Sequence, residues 1–176
     1  MAEIVVLWGP TGAGKTVQGE RLATAKGWAH FSTGRLLRRD PVTAAQLRSG
    51  ELAPTAEVQR VLTEAVAAVP RHQGIVLDGF PRTADQAAWL EQQLPQWGRH
   101  LRRVILLSID EATSRERLRL RSRSDDSSAA QREKWREYQK LMQPLVAFYQ
   151  PRGLLAIVDG GGTIDQVTES IEATLA

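Results

Sequence analysis

Hydrophobic positions fall in short runs separated by stretches of helical spacing. Ile4–Trp8, Ile75–Leu77 and Leu154–Val158 are continuous apolar runs, Val104–Ile109 is broken only by Ser108, and Ala29–Phe31, with His30 at its centre, is a short strand candidate. The other four runs do not alternate with polar residues, as expected of strands buried on both faces. Between them lie helical stretches. Lys15–Lys26 is closed by Gly27, and Thr55–Val69 repeats apolar residues at Val58, Val61, Leu62, Ala65, Val66 and Val69. Helices are also predicted at Thr83–Leu94, stopped near Pro95, at Glu111–Arg121, at Ala129–Tyr149 with a disturbance near Pro144, and at Ile164–Leu175. Strands alternating with helices need crossover connections, which give a parallel sheet covered on both faces. The expectation is an α/β three-layer sandwich with a five-stranded parallel sheet, whose ligands bind beyond the carboxyl ends of the strands.

The length, 176 residues, suits one domain over 1–176. No apolar run approaches the length of a membrane span, and no signal-peptide pattern opens the chain. The absence of cysteine excludes disulfides and Cys-based zinc sites, and a reducing, cytoplasmic setting is the simplest expectation. The net charge of +3 is mild, but arginines cluster at 99–103 and 115–123. Such clusters hold nucleic acid or polyphosphate, or simply form solvated helix faces. Arg115, Arg117 and Arg119 are read as a solvated face.

The loop after the first strand favours polyphosphate. Gly9-Pro10-Thr11-Gly12-Ala13-Gly14-Lys15-Thr16 is a complete P-loop between a strand and a helix. Its glycines let backbone N–H groups of Gly12, Ala13 and Gly14 turn inward on an anion, and the helix N-terminus adds positive potential. Lys15 would meet the β- and γ-phosphates, and Thr16 would offer its hydroxyl to Mg²⁺. Asp78, directly after Ile75–Leu77, could hold a water of the same Mg²⁺ shell. His30, His72 and His100 lie in no triad-like setting and read as structural or surface residues.

Three more segments come after strands: Ser32-Thr33-Gly34-Arg35-Leu36-Leu37-Arg38, then Asp78-Gly79-Phe80-Pro81-Arg82-Thr83-Ala84-Asp85-Gln86, then Arg121-Ser122-Arg123-Ser124-Asp125-Asp126 with Lys134 and Tyr138 beyond. Together with the P-loop they resemble the adenylate kinases, of the nucleoside monophosphate kinase family, over nearly the whole chain. That resemblance implies a P-loop NTPase-type core, an acceptor-binding arm (32–55) and a very short lid (121–128). It implies Mg-dependent transfer from ATP to AMP, giving two ADP. A working cycle with two arms free to open and close leads to the expectation of a monomer, and no nucleic-acid or membrane partner is expected. Carried over residue by residue, the resemblance implies that Thr33 and Gln86 recognise the acceptor base, with Leu52 and Ala53 lining the pocket. Arg38 and Arg82 hold the acceptor phosphate, and Gly79 permits close backbone approach. Arg121, Arg123 and Lys134 clamp the transferring group, Asp125 and Asp126 lock the closed lid, and Gly162 lies beside the ATP adenine.

The chain departs from the family pattern in several places. Thr16 and Val17 stand where the family has glycine and threonine, and the hydroxyl survives at Thr16. Arg35 replaces an acidic residue, a charge reversal that would strengthen anion binding or disturb Mg²⁺ hydration. Lys134 replaces an arginine, keeping the charge and losing the bidentate fork. The arm and lid are shorter than usual, so the lid should exclude water less completely and let ATP hydrolyse without acceptor. A preference for UMP or CMP remains open, as does a nucleotide-binding module without catalysis. A nucleic-acid-binding ATPase rests on basic charge alone and lacks aromatic platforms on a strand.

Overall fold

The computed structural model describes residues 1–48, 53–121 and 128–176. Five strands form one parallel sheet: β1 (Ala2–Trp8), β2 (Ala29–Ser32), β3 (Ile75–Asp78), β4 (Arg99–Ser108) and β5 (Leu155–Asp159). Their order across the sheet is β2-β3-β1-β4-β5, so the winding reverses on either side of β1. The register pairs Val6 with Leu77 on β3 and with Val104 on β4. The continuous apolar runs have the cause inferred from sequence. Ile4, Val6 and Trp8 face one hydrophobic layer with Leu62, Leu90 and Tyr149, while Val5 and Leu7 face another with Leu22, Val167 and Ile171.

The helices on the first face include α4 (Thr55–Ala67), α5 (Ala84–Trp97) and α7 (Ser128–Tyr149); α1 (Lys15–Lys26) and α8 (Ile164–Ala173) cover the second. Two short helices, α2 (Thr33–Arg39) and α3 (Pro41–Arg48), build the described part of the 32–55 segment, and α6 (Glu111–Arg121) leads from β4 toward residue 121. Asp40 fixes the α2–α3 corner. Its carboxylate accepts from the Val42 and Thr43 backbone N–H groups and pairs with Arg60 of α4 at 2.7 Å. That guanidinium hydrogen bond holds the Asp40 carboxyl below the usual carboxylate range.

One proline acts differently from expectation. Helix α5 passes Pro95 and runs to Trp97, where Gly98 closes it at φ 67°. Pro144 lies inside α7, which continues to Tyr149 as the sequence suggested. A proline costs one hydrogen bond and clashes backward with the preceding turn. In α5 only the last turn lies beyond Pro95, so Gly98 and not the proline sets the end. The strand β4 begins at Arg99, so the basic run 99–103 lies within the sheet and not on a helix.

Candidate active site

The loop between β1 and α1 lies where the order of strands reverses, the position at which doubly wound sheets bind ligands. Backbone geometry explains its glycines. Gly9 comes so close to β4 that a Cβ would stand 2.5 Å from the Leu107 carbonyl oxygen. Gly14, at φ 90°, takes the left-handed conformation that starts α1. Ala13 is buried and packs with Val5 and Leu7, fixing the loop to the sheet.

Lys15 is already drawn into this loop. Its Nζ donates to the carbonyls of Gly9 at 2.9 Å and Pro10 at 2.8 Å. Thr16 Oγ1 donates to Asp78 Oδ2 at 2.6 Å, joining the phosphate loop to the end of β3. Asp78 is 3% exposed. A hydroxyl and a buried carboxylate are hard oxygen donors, so these two residues fit Mg²⁺. Among the described residues, no three His, Asp or Glu side chains gather as a metal cluster.

From Asp78 the chain continues through Gly79 to Arg82 and the start of α5. Gly79 has φ 81° and nothing within 4 Å of a hypothetical Cβ, which leaves open space over its backbone. Arg82 is exposed, with its Nε donating to the Gly79 carbonyl at 3.3 Å. Its backbone N–H donates to Gln86 Oε1 at 2.8 Å. Gln86 itself begins α5, where its N–H donates to Thr83 Oγ1 as a helix cap. Thus Thr83, Gln86 and Arg82 form one braced turn.

On β2 and α2, Thr33 is 3% exposed, and its hydroxyl has no partner among the described residues. Such a group is costly unless something satisfies it. The Arg38 guanidinium folds back near Gly34, where a Cβ would stand 3.4 Å from Nη1. Ala53 packs against the first hydrophobic layer. His30 is half-buried under α1, its Nε2 filling the space beside Gly19, and burial pushes its pKa down.

Arg35 turns out to face away from the charge problem posed by its sequence position. It pairs with Glu20 of α1 at 2.9 Å, with both side chains about half exposed.

On the other side, Gly160 is buried against the Ala13 and Ser108 carbonyls, so the Gly160–Gly162 turn lies beside the phosphate loop. Gln18 fastens the helix behind it. Its Nε2 donates to the Ile164 carbonyl at 2.9 Å, and its Oε1 accepts from Thr168 at 2.8 Å. Arg117 corrects the reading of a solvated face. It reaches inward to the carbonyls of Gly12 at 3.3 Å and Gly161 at 3.4 Å. Its neighbours Arg115 and Arg119 do lie outside, paired with Glu111 and Glu116. Nothing in the local spacing of 115, 117 and 119 distinguishes the middle residue; only its position opposite the loop does.

Arg121 ends α6. Lys134 is partly buried on α7, in the same helix as Tyr138, whose ring meets Trp8 at 5.9 Å. Leu52, Arg123, Asp125 and Asp126 lie outside the described residues, and so does most of the 121–128 lid.

A parallel sheet wound both ways from β1, with a phosphate loop at the reversal, defines a P-loop NTPase-type fold. A family model described as adenylate kinase matches residues 7–154. The adenylate kinases of Parasynechococcus marenigrum (strain WH8102) and Synechococcus sp. (strain WH7803) are 35% and 36% identical to it, over 100% of both chains in each case. That of Clavibacter michiganensis subsp. michiganensis (strain NCPPB 382) is 35% identical over 98% of this chain and 92% of its own. The chain belongs to the adenylate kinase family, and thereby to the nucleoside monophosphate kinases, which are transferases. No helix among the described residues is long and apolar enough to cross a membrane.

Proposed function

We propose that this chain moves the γ-phosphoryl group of Mg-ATP to AMP, yielding two ADP, as a cytoplasmic monomer. The observation that carries the reading is the Thr16–Asp78 hydrogen bond of 2.6 Å, because it ties the donor loop to the segment that continues into Arg82. A loop that cradles a triphosphate and an arginine positioned for a second phosphate thereby share one rigid edge of the sheet.

Phosphoryl transfer asks little covalent chemistry of a protein; it asks for alignment and for neutralised charge. Backbone N–H groups of Gly12, Ala13 and Gly14 take the donor phosphates, and Lys15 exchanges its two carbonyl partners for phosphate oxygens. Thr16 and, through water, Asp78 would hold Mg²⁺, which when bound would supply charge neutralisation on the transferring phosphates. Arg117 and the Gly160–Gly162 turn form the adenine side of the donor site, with Gly162 against the base. On the acceptor side, Arg38 and Arg82 hold the monophosphate, and Gly79 lets its oxygens approach the backbone. The buried Thr33 hydroxyl finds its missing partner on the acceptor base, with Gln86, Leu52 and Ala53 completing that pocket. Arg121, Arg123 and Lys134 gather on the transferring group when the 121–128 lid closes over it and Asp125 and Asp126 lock it.

The test is to supply Mg-ATP with AMP, UMP, CMP, GMP or dTMP in turn and follow diphosphate formation. ADP formation that depends on AMP and far outpaces the other acceptors is expected. Faster transfer to UMP or CMP overturns the role of Thr33 and keeps the mechanism. Intact ATP binding with no transfer to any acceptor leaves a nucleotide-binding module.

The lysine at 134 makes a second prediction. An ammonium contacts an equatorial oxygen as a point charge, whereas a guanidinium contacts two at once. Lys134→Arg should raise kcat by up to about tenfold, the worth of one charge-assisted hydrogen bond. An unchanged kcat and kcat/KM for AMP phosphorylation would remove position 134 from the clamp.

A further inference from the structure

The donor loop is held from outside by a serine that no sequence motif marks. Ser114 sits in the first half of α6 and is 4% exposed. Its hydroxyl donates to the Thr11 carbonyl at 2.7 Å. One residue further along the loop, Gly12 is pressed against the same helix turn: a Cβ there would stand 3.1 Å from the Ser114 carbonyl oxygen. An anion-binding loop works only if its N–H groups point inward, and each inward N–H requires its peptide carbonyl to point outward. A buried outward carbonyl needs a donor, or it turns back toward whatever donor it can reach. Ser114 supplies that donor at Thr11, and α6 lies close enough that a side chain at position 12 would press on its backbone.

We infer that Ser114 is a positioning residue for the donor phosphates: it fixes the Thr11 carbonyl away from the nucleotide and so holds the N–H of the same peptide, that of Gly12, in its anion-binding orientation. The inference rests on the proposed donor site and adds how that site is preorganised. Among the described residues, the acceptor side has no such link to Ser114. Arg82, Gln86 and Thr33 stand on other elements, and the first two have partners of their own.

The test uses the full chain with Ser114→Ala and Ser114→Thr, the second keeping the hydroxyl. Calorimetry of ATP, ADP and adenosine binding is combined with KM for ATP, KM for AMP, and thermal melting. Ser114→Ala should weaken ATP and ADP binding about tenfold, the worth of one hydrogen bond to a partly buried carbonyl. Adenosine binding and KM for AMP should stay within about twofold of the parent, and Ser114→Thr should restore most of the ATP affinity. Three results overturn the inference: unchanged ATP affinity in Ser114→Ala, equal weakening of ATP and adenosine, or equal rises in both KM values. An inactive parent protein would instead refute the proposed reaction, and the binding comparison would still decide the role of Ser114.

Discussion

Lys15→Met should lower kcat for AMP phosphorylation by about 10²–10³-fold, the usual cost of removing one preorganised donor aimed at transition-state charge. The side chain is not a free tether waiting for a phosphate. Its ammonium already lies inside the loop, 2.9 Å from the Gly9 carbonyl and 2.8 Å from that of Pro10. Those two bonds already order the long stem inside the loop, so less rotamer entropy is lost when nucleotide arrives than for a solvated side chain. They also make binding an exchange: two carbonyl contacts are given up for contacts to anionic oxygens, which are stronger. Methionine keeps most of the length and the apolar stem but removes the ammonium and, with it, the two hydrogen bonds to the Gly9 and Pro10 carbonyls. Those bonds are only partly buried, so water can replace the donor, and the fall should appear mainly in kcat with a small change in melting temperature. Steady-state kinetics at saturating ATP and AMP checks it, and a loss of less than about tenfold would exclude Lys15 from the transfer step. Lys15→Arg should not recover the rate, because a planar fork does not reproduce a compact point charge in a narrow loop.

Much of this site is legible in the sequence because its chemistry is local. The nest of N–H groups, Lys15 and Thr16 lie within a few residues of one strand end, and spacing alone carries the motif. Asp78 is legible because it comes directly after a buried strand, and the structure brings it to Thr16. The residues that sequence reasoning misses act across the fold. Arg117 and Ser114 meet the loop from α6, more than a hundred positions away in the chain, and look in sequence like ordinary helix residues. Arg35 shows the converse. Its charge looks decisive beside the phosphates, but a partner on α1 fifteen residues earlier takes it up. Pro95 weighs less than its residue type suggests, since a proline near a helix end costs little when the next turn is the last. The run 99–103 misleads for a similar reason. Counting arginines gives a charge, whereas the sheet decides which of them meet water.

Arg99 is the plainest case, and Arg99→Met should cost about 3–5 kcal/mol of stability, as expected when several buried polar groups lose their donor together. The side chain is 2% exposed at the start of β4. Its Nη1 donates to the Trp97 carbonyl at 3.0 Å, and its Nη2 approaches the carbonyls of Val69, Pro70 and Gln73 at 3.0–3.3 Å. Trp97 ends α5, and Val69 lies just past the end of α4, so one guanidinium serves the carbonyl ends of two helices, where a positive charge is favourable. No carboxylate is among these partners; burial and nearby Arg71 push the pKa of Arg99 below the usual guanidinium range. Carbonyl dipoles therefore hold the charge. Methionine fills similar volume and leaves those carbonyls without a donor. Of a total stability of about 5–15 kcal/mol, the loss is a large share, and melting should fall by about 10 °C or more. Urea unfolding should show a lower midpoint at unchanged slope. Activity measured well below melting should persist, because Arg99 pairs with Ala2 at one end of the sheet while the phosphate loop begins after Trp8 at the other. Arg99→Lys should recover only part of the loss, since a single ammonium cannot reach both helix ends at once. A destabilisation below about 1 kcal/mol would mean that water replaces the guanidinium at these carbonyls without cost.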